Sequence, residues 1–176
     1  MSELKRKSLR LPFYDYSQEG YYFVTVCSHN KENIFGKIKD GIMLNNSSVD
    51  IIEDEWLRTT TLRENIKLGS FIVMPNHIHG IIIINFKMQS RGVLQYAPTQ
   101  TNIRSFTSTS NSLGAIIRGF KAATTKRINI LNGTPHKKIW QRNYYEHIIR
   151  NQKEHIKIDE YIRRNVELWG QDKFYV

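Results

Sequence analysis

Residues 66–85 read IKLGSFIVMPNHIHGIIIIN, two β-branched and aromatic runs separated by the single step Pro75-Asn76. Such runs favour extended chain, and a Pro-Asn step punctuates them, so Ile66 to Met74 and His77 to Asn85 are predicted strands. So short a connection leaves only an antiparallel hairpin. The hairpin needs sheet partners. Tyr21 to Cys27 (YYFVTVC), after Gly20, predicts an earlier strand, and Tyr144-Tyr145 to Ile149 a later one.

Helical spacing fills the intervals. Ser47 or Ser48 is placed to cap a helix with Val49, Ile52, Trp56 and Leu57 on its inner side and acids in its first turn. Leu113 to Ile130 carries Leu113, Ile116, Ile117, Phe120 and Ala123 at helical spacing, with Arg118, Lys121, Lys126 and Arg127 on its other faces, and should end near Asn132-Gly133. Asn151 to about Leu168 predicts a last helix with Ile158 and Ile162 inward. The polar stretch from Lys87 to Ser112 has no period and is expected to be a mobile loop insertion, residues 87–112. The order strand, helix, strand, strand, helix, strand, helix predicts a ferredoxin-like α+β sandwich, an antiparallel sheet with helices on one face and a further C-terminal helix. A chain of 176 residues fits one such domain.

Charge narrows the partner. Between Glu64 and Glu146 there is no acidic residue, yet eleven of the 26 Lys and Arg lie there. Outside that span 15 cations face 16 acids, so the whole excess of the +10 net charge sits in one segment. A surface of this kind suits a phosphodiester polymer, and it also suits a merely solubilising face. Cys27 is the only cysteine, which excludes an intrachain disulfide scaffold and fits a reducing compartment. The apolar run at Gly80 to Ile84 is far below the roughly 20 residues of a spanning helix, and no secretory apolar stretch follows the charged start, so a soluble cytoplasmic protein with no membrane partner is expected.

The chemistry concentrates at two places. On a strand His77 and His79 point to the same side, while Ile78 points to the other, towards a core. Two neutral imidazoles so placed suit a divalent metal, and they also occur incidentally on strands. In the last helix, Tyr161 and Asn165 are one turn apart and share a face. A phenol can be a covalent nucleophile and an amide oxygen a metal ligand; a half-buried core tyrosine has the same spacing. The segment around the His pair holds no carboxylates, unlike a two-metal nuclease, so its metal would act as a Lewis acid on a substrate phosphate. There is no HExxH, cysteine cluster, P-loop or dinucleotide fingerprint.

Over almost its whole length the chain resembles the HUH single-tyrosine transposases, most closely the REP-associated tyrosine transposase branch. The matching segments are Arg10-Leu11, Tyr14 to Ser17, Tyr22 to Cys27, Val73 to Gly80, Arg118 to Lys121, Trp140 to Arg150, Glu160 to Ile162, Asn165, Trp169 and Asp172 to Phe174. The resemblance implies that His77 and His79 are the metal-binding pair, Tyr161 the nucleophile and Asn165 the polar metal-site residue, with Mg²⁺ or Mn²⁺ as cofactor. Relatives commonly have proline after that asparagine; Val166 stands here, which lets the helix run on. The reaction implied is cleavage and rejoining of single-stranded DNA beside a hairpin, through a 5′-phosphotyrosine link. Arg118, Lys121, Lys126, Arg127 and Arg142 are then candidates for backbone contacts. Tyr96, Tyr144, Tyr145 and Trp140 are candidates for base stacking, with core packing the competing role for Trp140 and one of the tyrosine pair. His147 is a candidate for direct function or for orienting a neighbour, and His29, His136 and His155 are expected at the surface. A non-catalytic hairpin-binding regulator and a hydrolase using the His pair to activate water are the competing functions. Relatives include monomers and homodimers that exchange the tyrosine helix.

Overall fold

The computed structural model describes residues 14–85 and 112–175. The expected loop at 87–112, apart from Ser112, the stacking candidate Tyr96 and the Arg10-Leu11 pair lie outside the described residues. In chain order the elements are β1 (Gly20–Cys27), β2 (Gly36–Lys39), β3 (Ile42–Asn45), α1 (Ser48–Leu62), β4 (Ile66–Met74), β5 (His77–Ile84), α2 (Leu113–Asn132), β6 (Tyr145–Ile149) and α3 (Gln152–Arg163).

Four strands form one antiparallel sheet in the order β4-β5-β1-β6, which is the ferredoxin-like arrangement expected from the element order. Its register sets Thr25 opposite His79 and Cys27 opposite His77, so these side chains share a face. The other face, with Tyr22, Val24, Val26, Ile78 and Ile82, packs with Ile52 and Trp56 of α1 and Ile116, Ile117 and Phe120 of α2 in the main core. The histidine face carries a smaller core in which Ile81 and Ile149 meet Ile162 of α3, edged by Phe23, Ile72 and Tyr161. The sheet is thus covered on both sides, and α3 lies over the histidines. At Gly80 a Cβ would fall 2.4 Å from Trp56 Cζ2, so α1 packs directly on the β5 backbone at the residue after His79.

Three local expectations are corrected. Asn46, not Ser47 or Ser48, offers its side chain to the start of α1, accepting the Ser48 N–H at 3.0 Å. Leu57 lies on the exposed side of that helix, because the neighbouring Trp56 takes the buried position. The last helix stops at Arg163 instead of about Leu168, so the Val166 that permits continuation does not produce it. After Arg164 the chain tightens into a turn in which the Asn165 N–H reaches the Ile162 carbonyl. That turn buries both Asn165 and Trp169. The β2–β3 hairpin is an addition. Lys39 pairs with Ile42 across Asp40-Gly41, both at positive φ, as a two-residue hairpin turn requires.

Candidate active site

The two histidines are held from behind by groups that leave one nitrogen of each facing forward. Asn76, in the β4–β5 turn, is wholly buried, and its Nδ2 donates to the carbonyls of Lys31 (3.1 Å) and Phe174 (2.9 Å). Its Oδ1 therefore faces His77 Nδ1 at 2.7 Å and can only accept, which assigns the proton to Nδ1 and a lone pair to Nε2. His79 Nδ1 lies 2.8 Å from Thr25 Oγ1, a hydroxyl that donates or accepts and so serves either tautomer. The two Nε2 atoms are 3.0 Å apart. Burial holds both imidazoles neutral. It pushes His77 down to about 2, helped by the neighbouring His79, and also lowers His79, against the opposing pull of Asp172.

α3 delivers Tyr161 to this pair. Its hydroxyl is 3.2 Å from His79 Nε2 and donates to Asp172 Oδ2 at 2.8 Å. Burial, and then that bond and the charge of Asp172, raise the tyrosine above its ordinary range, so it is a neutral phenol at neutral pH. Asn165 arrives from the turn beyond α3, not from the helix face shared with Tyr161, and its Nδ2 donates to the same Asp172 oxygen at 2.9 Å. Its Oδ1 is buried without a hydrogen-bond partner among the described residues.

Asp172 is the residue that sequence reasoning missed as a site group. Its Oδ2 lies 4.0 Å from His79 Nε2, and its Oδ1 accepts the Phe174 N–H at 2.7 Å. Burial alone would raise its carboxyl; the nearby His79 imidazole, and hydrogen bonds from Asn165, the Phe174 amide and Tyr161, outweigh that and hold it well below the usual range. The expectation of a site without carboxylates is therefore overturned. The segment around the His pair is acid-free along the chain, but Asp172 comes to it from 93 residues beyond His79. The surrounding wall is aromatic: the tilted ring of Phe174 lies 4.8 Å from the His77 ring and Trp169 5.9 Å from it, while Phe23 lies 5.2 Å from the His79 ring.

These residues fit a divalent cation. Ligand atoms of His77, His79 and Asp172 lie within 4.8 Å of one another. The 3.0 Å between the Nε2 atoms is the spacing of adjacent ligands on an octahedral ion bonded at about 2.1 Å. The unpartnered Asn165 oxygen is a further hard donor. A single carboxylate does not make a two-metal cluster.

The basic candidates divide. Arg118 is exposed on α2. Lys126 and Arg142 line one surface groove together with Lys121, Lys137 and Lys138. Lys121, however, turns its ammonium onto the carbonyls of Gln141 (2.9 Å) and Asn143 (2.9 Å), and burial lowers it to about 8. Arg127 lies against Asp54 and Glu55 of α1 and ties the two helices together. Trp140 is buried, with its indole N–H on Thr124, and Tyr144 packs on the main core, while Tyr145 is exposed. His147 pairs with Glu154 of α3 at 2.6 Å.

No family model matches the chain. An uncharacterized protein of Haemophilus influenzae is 40% identical over 177 residues, covering 97% of this chain and 93% of that one. Among solved structures, a REP-associated tyrosine transposase bound to a REP hairpin superposes with a TM-score of 0.60 at 18% identity, covering 95% of this chain and 76% of that one. The chain therefore belongs to one family with the Haemophilus influenzae protein, and it shares its fold with the REP-associated tyrosine transposase.

Proposed function

We propose that the protein is a single-tyrosine DNA strand transferase of the HUH type, acting on single-stranded DNA beside a hairpin. The observation that carries this reading is the approach of the Tyr161 hydroxyl to 3.2 Å from His79 Nε2, beside two imidazoles whose Nε2 atoms are 3.0 Å apart. A core tyrosine has no need of that company. The shared fold with a transposase bound to a REP hairpin adds support for the substrate class.

In this reading His77, His79 and a carboxylate or amide oxygen from Asp172 or Asn165 hold Mg²⁺ or Mn²⁺. The cation supplies charge neutralisation to the scissile phosphate. Tyr161 Oη attacks phosphorus, forming a P–O bond as the bond to the departing 3′ oxygen breaks. The phenolic proton passes to Asp172 Oδ2, the atom that already accepts it, and from there through solvent to the departing 3′ oxygen, which leaves as the hydroxyl. The products are a 5′-phosphotyrosine and a free 3′-hydroxyl, and attack by a 3′-hydroxyl reverses the step without an external energy source. Asn76 and Thr25 hold the imidazoles in place, and the aromatic wall of Phe23, Trp169 and Phe174 limits water. Since Tyr161 reaches the histidines of its own chain, a monomer carries every group the reaction uses.

The test is a covalent trap. Incubation with labelled single-stranded hairpin oligonucleotides and Mn²⁺ should give a denaturation-resistant protein–DNA adduct that is absent from Tyr161→Phe. Cleavage that survives this substitution would exclude the tyrosine mechanism and favour water activation. Hairpin binding with no cleavage under any metal would favour a regulator.

A further inference from the structure

A cavity of about 400 Å³ opens between the start of β1 and the start of α3, lined by Tyr21, Ile149, Arg150, Asn151, Gln152 and His155. Its volume lies in the range of small-ligand sites, about 300 to 1,000 Å³, and none of its described lining residues is acidic. Tyr21 is 44% exposed, and among the described residues it belongs to neither apolar core. Its ring meets that of His155 edge-to-face at 5.4 Å, which fixes both rings at the cavity. The end of α3 is itself satisfied. Asn151 Oδ1 accepts the Glu154 N–H at 2.9 Å, and Glu154 Oε2 accepts the Arg150 N–H at 2.7 Å. The cavity therefore offers an aromatic surface and the Gln152 amide, a donor and an acceptor together, in place of a bare helix end.

Its place relative to Tyr161 follows from two elements. Tyr21 and Phe23 are successive residues on the histidine face of β1, about 6.7 Å apart, and the Phe23 ring is 6.1 Å from that of Tyr161. His155 precedes Tyr161 by six residues of α3, about 9 Å of helix rise. Both distances correspond to about two to three steps of a stacked strand at 3.4 Å per nucleotide.

The edge strand β6 joins the two places. Tyr145, His147 and Ile149 stand opposite Thr25, Phe23 and Tyr21 and share their face, so β6 runs from Tyr145, beside Phe174 at 5.5 Å, to the cavity wall at Ile149. Midway, His147 is paired with Glu154 at 2.6 Å. That carboxylate repels a phosphate and tolerates a neutral base, so a strand lying here turns its bases to the protein.

We propose that this cavity receives one unpaired base of the strand that Tyr161 cleaves, about two to three nucleotides from the scissile phosphate, stacked on Tyr21 with its polar edge at Gln152. The proposal rests on the preceding reading for the choice of single-stranded DNA as partner. The probes are a fluorescent single-stranded 12-mer pool of random sequence and an abasic 12-mer of equal charge, titrated by anisotropy at several salt concentrations. The variants are Tyr21→Ala and Tyr21→Phe, with circular dichroism as the check on folding. Tyr21→Ala should bind the base-bearing pool about 5-fold or more weakly, as one stacked base is lost, with its salt dependence unchanged because no phosphate contact goes. Its affinity for the abasic strand should hold, and Tyr21→Phe, which keeps the ring, should bind both probes as the wild type does. A pool carrying 5-iododeoxyuridine should photo-crosslink to Tyr21 or His155. No wild-type preference for the base-bearing strand, equal losses on both probes, or a Phe variant as weak as the Ala variant overturns the proposal. The two readings fail separately. A Tyr161-dependent adduct together with unchanged binding by Tyr21→Ala sinks only the base site. A loss by Tyr21→Ala confined to the base-bearing strand, with no adduct formed by the wild type, sinks only the strand-transferase reading.

Discussion

The Tyr161 hydroxyl donates to Asp172 Oδ2 across 2.8 Å, linking the last turn of α3 to the chain beyond the Trp169–Gln171 turn. The bond holds the phenol protonated, on top of the effect of burial. Asp172→Asn removes the negative charge, so Tyr161 should ionise at lower pH than in the wild type, though still above the ordinary value of about 10 because it remains buried. Phenolate absorbance, taken as a difference against Tyr161→Phe, reads this directly. An unmoved midpoint would show that Asp172 does not govern the proton.

The histidine pair makes the metal-free protein acid-sensitive. Both imidazoles are depressed in the folded state, His77 to about 2, while in the unfolded chain each titrates near 6.5. Below about pH 6.5 the unfolded chain takes up two protons that the native state does not. Stability should therefore be fully present above that pH and fall as pH drops, by up to about 2.7 kcal/mol per unit for two protons. Asp172, whose folded carboxyl is depressed, adds a loss in the same direction below about pH 4. Urea midpoints across this range check it, and a flat profile between about pH 7 and pH 5 would refute it.

Asn76→Ala should weaken the metal site without touching a ligand. It removes the acceptor that sets the His77 tautomer and leaves the Lys31 and Phe174 carbonyls short of a donor. Mn²⁺ affinity by calorimetry should fall about 10- to 100-fold. Stability should fall by about 2 to 4 kcal/mol, from buried groups left unpaired.

Gly80→Ala tests how α1 seats on β5. The added methyl carbon would stand 2.4 Å from Trp56 Cζ2 and 2.7 Å from its Cη2, so the indole must shift in a close-packed core. A loss of about 1 to 3 kcal/mol is expected, with a change in tryptophan fluorescence in the native state. Wild-type stability would mean that the α1–sheet contact is looser than described.

The strong elements were legible because their patterns are local. Ile66–Met74 and His77–Ile84 follow directly from β-branched runs around Pro75-Asn76, and α2 closes at Gly133 in the left-handed conformation that favours glycine. The β2–β3 hairpin carried a readable Asp40-Gly41 turn signal, but its strands are four residues long and largely exposed, so they lack the apolar alternation that marks a strand. The end of α3 was missed for a different reason. Nothing in residues 164–168 forbids a helix, and the partners that Asn165 and Trp169 meet in the turn, Asp172 and His77, are set by the fold and not by local sequence.

By itself the sequence determined that His77 and His79 share a strand face, because that follows from the two-residue period of any strand. It also determined that the positive excess lies in one segment, since charge along a chain can be counted. Only the tertiary structure decided which charges stay near that segment. Asp54 and Glu55 meet Arg127 through the α1–α2 packing, and Asp172 reaches Tyr161 and His79 through the turn that follows α3. An acid-free stretch of sequence is not an acid-free region of space, because Coulomb and hydrogen-bond energies depend on distance through the fold and not on separation along the chain.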